Sequence, residues 1–506
     1  MSRIVFLVIG IIYSVAVSAA PADTTKTLII FFDGLRPDYI RPELMPNLYK
    51  LSLTASHGLS HRSIFPTVTR VNATSYTTGC YPDKHGILGN SIFFPSLNNN
   101  KVYNTGDARD LVEADSLLKE GLVQAVSMGQ VIHNTGNEMM VFSSGSSGQA
   151  YLQDHSRSGR MVNTDLILPD SFKSKVLSEI GPVPAAQKPN SLRHKWITDG
   201  LLKYGITDGG PLVTAIWYSD PDGAAHSDGI GSPAAIESLK SVDHEFGRIL
   251  EALDKTGLRS RFNIVISTDH GFATYIGKEN LVGFLISRGL KQSVKSNDVI
   301  VAGGAIYING ADTSLSKKIV FALQENPSFG AIFTRPVNAN SNKGIIPGTL
   351  SFATIHWNYL GRVPDILVDM NWSDSVNQYG YKGSTYSVGV AGHGSLSPYE
   401  TSIQLIVDGP GFQKQVKSVL PTANIDIAPT VLKLHGLPIP EGMDGRTIDE
   451  LLLGKRTSKQ NVQSKTEIIE VKNEVNGTLY ILRLHRKLLK DKAYIDFAEI
   501  IRRKTK

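Results

Sequence analysis

The sequence predicts an α/β protein with a mostly parallel central sheet flanked by helices. Three short apolar runs, rich in β-branched and aromatic residues, are typical of strands that are buried on both faces. These runs are TLIIFF before Asp33, LVTAIWYS before Asp220 and FNIVIST before Asp269. A further run, MMVFSS, indicates another core strand. The acidic residues that follow three of these runs would then lie at the carboxyl ends of strands, where open α/β sheets gather their ligands.

Helices are predicted between these strands. The first covers about residues 45–55, and the segment FPTVTRVNATSYTTG indicates an extended approach, a cap at Thr69 and a short helix that ends near Gly79. A longer helix is predicted over about 233–256, because its apolar side chains recur at helical spacing. It would cross back over the sheet before FNIVIST.

A long insertion lies between Phe272 and Tyr386 and contains the strand-like runs AIYING and AIFTR. We expect a cap subdomain at about 273–386 over the site; the alternative is a structural elaboration far from it. The composition, with 506 residues, 41% hydrophobic and 19% charged, fits a soluble enzyme built as one domain with insertions or as a core plus a cap.

The amino-terminal residues predict an export signal. Arg3 precedes an apolar stretch at 4–17, and small residues near Ala19 offer a cleavage site, so we expect a signal peptide at 1–19; the alternative is an uncleaved anchor. Cys80 is the sole cysteine, which excludes an internal disulfide and favours a buried apolar role. A periplasmic or secreted protein is the simplest fit.

The carboxyl-terminal tail differs from the predicted catalytic domain at 20–454. Residues 455–506 hold 14 Lys and Arg against 6 Asp and Glu, so the basic character of the chain comes largely from this tail. Its apolar residues suggest an amphipathic helix with a basic face. We expect this helix either to pack on the enzyme or to contact an anionic membrane surface. No nucleic-acid partner is expected, because no nucleic-acid-binding module is recognised.

Six residues of the kinds that bind metals lie in four short patches. Each patch alone is compatible with a turn or a solvated loop. Together, three carboxylates and three imidazoles at strand ends favour a site for two metal ions that cleaves phosphate esters. The six residues are Asp33, Asp222, His226, Asp269, His270 and His393.

The motifs that hold these residues resemble the alkaline phosphatase superfamily and, within it, the type I phosphodiesterase/nucleotide pyrophosphatase family. FFDGLRPDYI, FPTVTRVNATSYTTGCYPDKHGILGN, YSDPDGAAHSDG, VISTDHGF and AGHGSL follow the order of that family. The resemblance implies two divalent metal ions, with zinc expected and manganese or iron also compatible with the ligands. It assigns one metal to Asp222, His226 and His393, and the other to Asp33, Asp269, His270 and the oxygen of Thr69.

The same resemblance makes Thr69 the nucleophile of a double displacement with a phosphothreonine intermediate. A phosphoryl group at the start of the Thr69 helix would meet free backbone N–H groups and the positive end of the dipole. Asn72, three residues on, is expected to donate its amide to a phosphoryl oxygen. The structural alternative is a capping threonine and a solvated asparagine.

The substrate expected from the resemblance is a small phosphate ester such as a nucleotide. Nucleotide-processing relatives have an aromatic residue and proline after the nucleophile, whereas this chain has Arg70 and Val71. Arg70 would suit the extra charge of a phosphomonoester, unless it points outward from the helix. The segment around Asn90, expected to be a pocket wall or a turn, also resembles phosphonoacetate hydrolases. A non-catalytic binding protein of the same fold is the remaining alternative.

Overall fold

The computed structural model describes residues 25–97, 100–454 and 463–505. The predicted signal peptide at 1–19 lies outside these residues. Strands β1 to β23 are, in chain order, Lys26–Phe32, Ser56–Arg62, Ser91–Phe93, Val102–Asn104, Met139–Ser143, Met161–Asn163, Ile167–Leu168, Val213–Tyr218, Phe262–Ser267, Ala273–Tyr275, Val299–Ala302, Ala305–Ile308, Phe329–Thr334, Leu350–Ser351, Ile366–Met370, Trp372–Val376, Lys382–Thr385, Ala391–Gly392, Ser402–Asp408, Lys417–Ala423, Lys465–Val475, Thr478–Leu489 and Lys492–Lys504.

The α-helices alternate with the strands of the core. Among the described residues, no helix is both long and apolar enough to span a bilayer. Helices α1 to α14 are, in chain order, Pro46–Ser52, Thr69–Thr78, Pro82–His85, Ala108–Leu117, Met128–His133, Ser147–Gln153, Asp170–Ile180, Ser191–Gly200, Asp222–Asp228, Pro233–Lys255, Leu281–Ser287, Thr313–Glu325, Pro398–Thr401 and Ile427–Leu434.

A nine-stranded sheet forms the centre of the fold, in the order β20-β2-β19-β9-β1-β8-β5-β6-β7. Strand β1 pairs in parallel with both β8 and β9, and β5 continues the parallel register beyond β8. Strand β19 runs antiparallel to both of its neighbours, and β7 runs antiparallel to β6. The predicted α/β class with a mostly parallel sheet is confirmed, and the three apolar runs are its central strands.

Helices cover both faces of this sheet, which explains why its strands are apolar throughout. Phe31 stacks on Trp217 of the neighbouring strand at 4.5 Å between ring centroids, and Tyr76 of α2 lies 4.6 Å from the Phe31 ring. The next residue, Phe32, points to the opposite face, where Phe246 of α10 meets it edge-on. Helix α2, which begins at Thr69, and the long helix α10 therefore cover opposite faces of the sheet.

The insertion at 273–386 folds mainly around a second sheet of five strands, in the order β11-β12-β15-β13-β14. The two runs that appear strand-like in the sequence are its strands β12 and β13. Strands β10, β16 and β17 form a smaller sheet with β18, which directly precedes His393. The insertion is therefore joined to the edge of the core that holds the last predicted ligand.

The carboxyl-terminal tail corrects one prediction, because it forms an antiparallel sheet of β21, β22 and β23 and not a helix. Asn476 and Gly477 join the first two strands with φ angles of 47° and 71°, the combination that a two-residue hairpin turn requires. The apolar residues of the tail fit both a helical stripe and the two-residue period of a strand. The Asn476-Gly477 turn favours the strand, because it joins two paired strands.

The tail sheet packs on the rest of the protein. Trp372 of the insertion donates its indole N–H to Ala498 O at 2.6 Å, and Tyr480 donates its hydroxyl to Gly330 O at 2.8 Å. On the core side, Arg62 pairs with Asp496 at 2.7 Å. Residues 463–505, the described part of the tail, contain no helix that could contact a membrane as the sequence analysis considered.

Candidate functional site

The six predicted ligands lie at one edge of the central sheet. Asp33 directly follows β1, and Asp269 and His270 follow the neighbouring β9. Asp222 begins α9 after β8, His226 lies one turn later on the same helix, and His393 follows β18. Because β1, β8 and β9 are parallel neighbours, their carboxyl ends bring these segments together.

Asp222 is the centre of the first half of the cluster. Its Oδ1 lies 3.2 Å from Nε2 of His226 and 3.3 Å from Nε2 of His393. Both histidines therefore direct a nitrogen at the same carboxylate oxygen. Their ring centroids are 5.1 Å apart and the rings are tilted. The first predicted ligand set is therefore assembled in the structure.

Asp33, Asp269 and His270 form the second half of the cluster. Nε2 of His270 lies 2.9 Å from Asp269 Oδ2 and 3.6 Å from Asp33 Oδ1. The hydroxyl oxygen of Thr69 lies 3.3 Å from the same nitrogen. His270 also stacks on His393, with 3.4 Å between ring centroids, so the two halves are in direct contact.

The division between the two halves is less strict than the sequence predicts. Ligand atoms of Asp33, Asp269 and His270 lie within 4.8 Å of one another, as do those of Asp222, His270 and His393. His270 therefore reaches both groups, whereas the resemblance assigns it to one metal only. His226 joins the first group through Asp222.

Each histidine of the cluster is held in one tautomer by a backbone carbonyl. Nδ1 of His226 donates to Ala391 O at 2.9 Å, Nδ1 of His270 to Gly271 O at 3.0 Å and Nδ1 of His393 to Thr67 O at 2.8 Å. Each Nε2 then carries the free electron pair. This is the arrangement in which imidazoles bind metals, with the second nitrogen anchored by a carbonyl.

The carboxylate oxygens opposite these nitrogens lack donors. Asp33 Oδ1, Asp222 Oδ1 and Asp269 Oδ2 are buried, and within the part of the chain that the structure describes none accepts a well-formed hydrogen bond. The second oxygen of Asp33 is satisfied by Trp217 Nε1 at 2.9 Å. Acceptor atoms therefore face acceptor atoms in a buried space, which is favourable only with a positive charge between them.

The electrostatics of the cluster agree with this geometry. Burial raises the pKa of the Asp33 carboxyl well above its usual range, and the charges of Asp269 and Asp222 raise it further. Burial lowers the pKa of His393 to about 4, which keeps its imidazole neutral at pH 7. Burial opposes the charged form of His270 too, but the Asp269 carboxylate raises the pKa of that ring overall. These raised pKa values favour a proton on Asp33 and on His270 when no metal ion is bound.

The donor set fits divalent metal ions. Carboxylate oxygens and neutral imidazoles are ligands that zinc, manganese and iron accept, and the chain supplies three of each. A hard cation that takes only oxygen ligands, such as Ca²⁺, fits less well because half of the ligands are nitrogen.

Thr69 lies at the start of α2, as predicted, but one position further into the helix. The cap is Val68, and Thr69 is the first helical residue. Val68 offers no side-chain cap hydrogen bond, and the Thr69 hydroxyl oxygen lies 3.3 Å from His270 Nε2. The helix ends at Gly79 in a left-handed conformation, which confirms the predicted carboxyl end.

Asn72 does not face the start of the helix, which corrects the predicted role. Its Oδ1 accepts the Ile64 backbone N–H at 2.8 Å and the amide of Asn424 at 3.0 Å. Its Nδ2 donates to the carbonyls of Ile64 and Val68 at 3.0 and 3.2 Å. The fully buried side chain therefore joins the approach segment to the helix, and its amide is already used.

Asn90 occupies the position that the sequence interpretation gave to Asn72. Its Oδ1 accepts the backbone N–H of Arg70 at 3.2 Å, which places the carboxamide beside the first turn of α2. The Arg70 side chain does not point outward. Its Nη2 donates to Ser146 Oγ at 3.1 Å, and its guanidinium faces the cavity that Thr69, Asp33 and Asp222 line.

Two cavities adjoin this cluster. The first, of about 260 Å³, is lined mainly by residues with polar side chains and includes Arg70. The second, of about 340 Å³, is lined by Val68, Asn90 and His393 together with residues of the insertion such as Tyr307. Parts of the insertion therefore line this second cavity.

Several site residues carry no signal in the sequence. Trp217 orients Asp33 from within β8, and the carbonyls of Thr67 and Ala391 orient His393 and His226. A core tryptophan and backbone carbonyls have no recognisable motif, because their role depends on which strands become neighbours.

The fold and the site together define a protein with the α/β architecture of the alkaline phosphatases. A mutant of the alkaline phosphatase PafA superposes with a TM-score of 0.61 at 17% identity, covering 86% of this chain and 100% of that one. Murine ectonucleotide pyrophosphatase/phosphodiesterase 5 gives a TM-score of 0.59 at 17% identity, covering 84% of this chain and all of the other.

The chain belongs to the type I phosphodiesterase/nucleotide pyrophosphatase family, whose model matches residues 27–395. Ectonucleotide pyrophosphatase/phosphodiesterase family member 1 of Rattus norvegicus is 28% identical over 254 residues, 50% of this chain and 24% of the relative. Venom phosphodiesterase 2 of Crotalus adamanteus is 27% identical over 255 residues, 50% of this chain and 27% of the relative. The chain thus spans about a quarter of the length of these curated relatives.

Proposed function

We propose that this protein is a metal-dependent hydrolase of phosphodiester and nucleotide pyrophosphate bonds that acts through a phosphothreonine at Thr69. One observation carries the proposal. The Thr69 hydroxyl lies 3.3 Å from His270 Nε2, inside a cluster where buried carboxylate oxygens and imidazole nitrogens face each other without donors. Membership of the type I phosphodiesterase/nucleotide pyrophosphatase family supports the reaction class.

Two divalent cations, which we propose to be zinc, would be held by the six clustered residues. Asp222, His226 and His393 would hold one, and Asp33, Asp269, His270 and Thr69 the other, with His270 close to both. Bound there, the cations would supply positive charge against the charge that develops on the phosphoryl and threonine oxygens.

The residues of the chain perform a double displacement. Thr69 Oγ attacks phosphorus as its proton leaves to solvent, so the Oγ–P bond forms and the bond from phosphorus to the leaving oxygen breaks. Water then cleaves the Oγ–P bond, which releases the phosphate product and restores the hydroxyl. The start of α2 and the Asn90 amide stabilise the phosphoryl oxygens, and the Asn90 carboxamide oxygen is fixed by Arg70 N–H.

A nucleotide or another small phosphate ester is the proposed substrate. An inactive variant of murine ectonucleotide pyrophosphatase/phosphodiesterase 5 has been solved in complex with AMP, and other relatives are venom phosphodiesterases. The names of these relatives also support our proposal that the chain works outside the cytoplasm, which cell fractionation of the expressed protein would test.

The test compares Thr69→Ala with Thr69→Ser. With bis(p-nitrophenyl) phosphate, Thr69→Ala should lose about a thousandfold or more in kcat, while Thr69→Ser keeps a hydroxyl and part of the activity. Acid quenching during turnover, followed by mass spectrometry, should find phosphate on the peptide that contains Thr69.

Turnover by Thr69→Ala at the wild-type rate would contradict the proposed nucleophile. A wild-type protein that binds divalent metal but hydrolyses neither esters nor pyrophosphates would favour the alternative of a non-catalytic binding protein.

A further inference from the structure

The cavity lined by Thr69 and Arg70 extends well beyond the predicted metal ligands Asp33 and Asp222. Asp33, Thr69 and Asp222 line part of it, and the rest is formed by Arg70 and by residues of the segments 145–149, 186–190 and 219–223. These further residues are Arg70, Gly145, Ser146, Gln149, Ala186, Gln187, Lys188, Asn190, Ser219, Asp220 and Gly223. A phosphoryl group at Thr69 would therefore have this cavity on one side.

Two donors on residues that line this cavity have no partner among the residues that the structure describes. Gln149 is 1% exposed, and within the described residues its Nε2 makes no hydrogen bond; the same holds for Nε of Arg70. The Gln149 amide is nevertheless oriented, because its Oε1 accepts from Ser143 Oγ at 2.6 Å. Leaving a buried donor unsatisfied is unfavourable, so these groups indicate a ligand that brings acceptor atoms.

The surrounding backbone leaves room for both side chains. A Cβ atom at Gly106 would lie 2.6 Å from Arg70 Nη2, and one at Gly145 would lie 2.7 Å from Gln149 Oε1. Both distances are shorter than atoms in contact allow, so a side chain at either glycine would displace its neighbour. Glycine at these two positions keeps the guanidinium and the amide in the cavity.

The charge of the cavity selects the kind of ligand. Arg70 and Lys188 are both cationic residues of its lining. Of its three acidic residues, Asp33 and Asp222 are proposed to hold metal ions, and Asp220 accepts the backbone N–H groups of Asn190 and Ala224 at 2.8 and 3.2 Å. Once cations neutralise Asp33 and Asp222, the remaining free donors favour an anion.

We propose that Arg70 and Gln149 bind a second negatively charged phosphate oxygen of the substrate, next to the phosphorus that Thr69 attacks. This inference rests on the proposed function and refines it. Preferred substrates carry extra negative charge at that point, either as a terminal phosphoryl group or as a neighbouring phosphate in an anhydride. A diester with two uncharged arms lacks the group that these donors bind.

The experiment compares substrates with and without the extra charge. Gln149→Ala and Arg70→Ala should each lower kcat/KM about tenfold or more for p-nitrophenyl phosphate or ATP, and about threefold or less for bis(p-nitrophenyl) phosphate. Whichever charged substrate shows the larger loss identifies the source of the oxyanion. Gly106→Ala should give the same selective loss, because it displaces the guanidinium without removing its charge.

Gln153→Ala is the matched control. Gln153 lies four residues further along α6, is also fully buried and also has a free Nε2, but it does not line the cavity. Its removal should affect all substrates equally. Equal losses on charged and uncharged substrates for Gln149→Ala, Arg70→Ala and Gly106→Ala would overturn the inference and leave the proposed hydrolase intact. Absence of wild-type turnover would instead overturn the proposed function.

Discussion

Two buried polar clusters lie on neighbouring segments of this protein, and they differ in how their hydrogen bonds are satisfied. In the first, around Asp222 and Asp269, carboxylate oxygens face imidazole nitrogens without donors. In the second, His61, Asn72 and Asn424 are completely buried, and hydrogen bonds to side chains and backbone engage their polar groups.

The second cluster shows what a structural polar core looks like. His61 Nε2 lies 3.1 Å from Asn424 Oδ1 and its Nδ1 lies 2.9 Å from Thr422 Oγ1, so the neutral ring is bonded at both nitrogens. Asn424 in turn donates to Asn72 and to the Thr268 carbonyl. This network is complete without an ion, whereas the Asp222 and Asp269 cluster has the geometry of a candidate metal site. Burial alone therefore does not distinguish the two clusters; they differ in that several neighbouring acceptors of the first lack donors, whereas those of the second are bonded.

The largest expected effect follows from removing a ligand. Asp222→Asn should lower kcat on a diester by about a thousandfold or more, because the site loses a carboxylate that faces two histidines. The stability of the metal-free protein should change far less than the activity, since the only donors to this carboxylate would be a protonated His226 or His393. Steady-state kinetics and thermal unfolding in a chelator measure these two effects. A strongly destabilised metal-free variant would place Asp222 among the structural groups.

The next effect distinguishes the two asparagines. Asn90→Ala should reduce kcat/KM by about a hundredfold, the usual cost of losing one donor to a developing oxyanion. Its free energy of unfolding should change by less than about 1 kcal/mol, because the main bond lost is the one to Arg70 N–H. Kinetics on a diester and urea unfolding test this. Wild-type kinetics would show that Asn90 only forms a turn.

Asn72→Ala should show the opposite behaviour. Its removal leaves the Ile64 backbone groups and the Asn424 amide without partners, so we expect a loss on the order of 3 kcal/mol in the free energy of unfolding. The folded fraction should still bind two metal ions. Urea unfolding combined with metal analysis measures both quantities, and a catalytic defect without destabilisation would restore the role that the sequence suggested.

The smallest effect concerns the pH dependence of stability. Burial lowers the pKa of His61 to about 3, against about 6.5 in an unfolded chain. Between these values the unfolded state binds one more proton, so the contribution of His61 to stability is full above pH 6.5 and is lost as the pH falls. His61→Gln should make the decline between pH 6.5 and 4 shallower by up to about 1.4 kcal/mol per pH unit. An unchanged slope would show that His61 is not the titrating group.

Much of the fold and of the site was predictable from the sequence. Buried parallel strands and the ligand types at their ends follow from short apolar runs that stop at Asp33 and Asp269. The role of Asn72 was not predictable, because helical spacing from Thr69 cannot show that the amide turns back to Ile64. The prediction of a helical tail was wrong because its apolar residues fit a strand as well as a helix, and the Asn476-Gly477 hairpin turn favours the strand.

The most direct test of the account counts metal ions. The wild-type protein, stripped with a chelator, incubated with Zn²⁺ and freed of excess metal by gel filtration, should retain two ions per chain by elemental analysis. Asp222→Asn should retain at most one, whereas Asn72→Ala should retain two. A wild-type protein that retains no zinc, manganese or iron after the same procedure would contradict the claim that the facing acceptors of this site require cations.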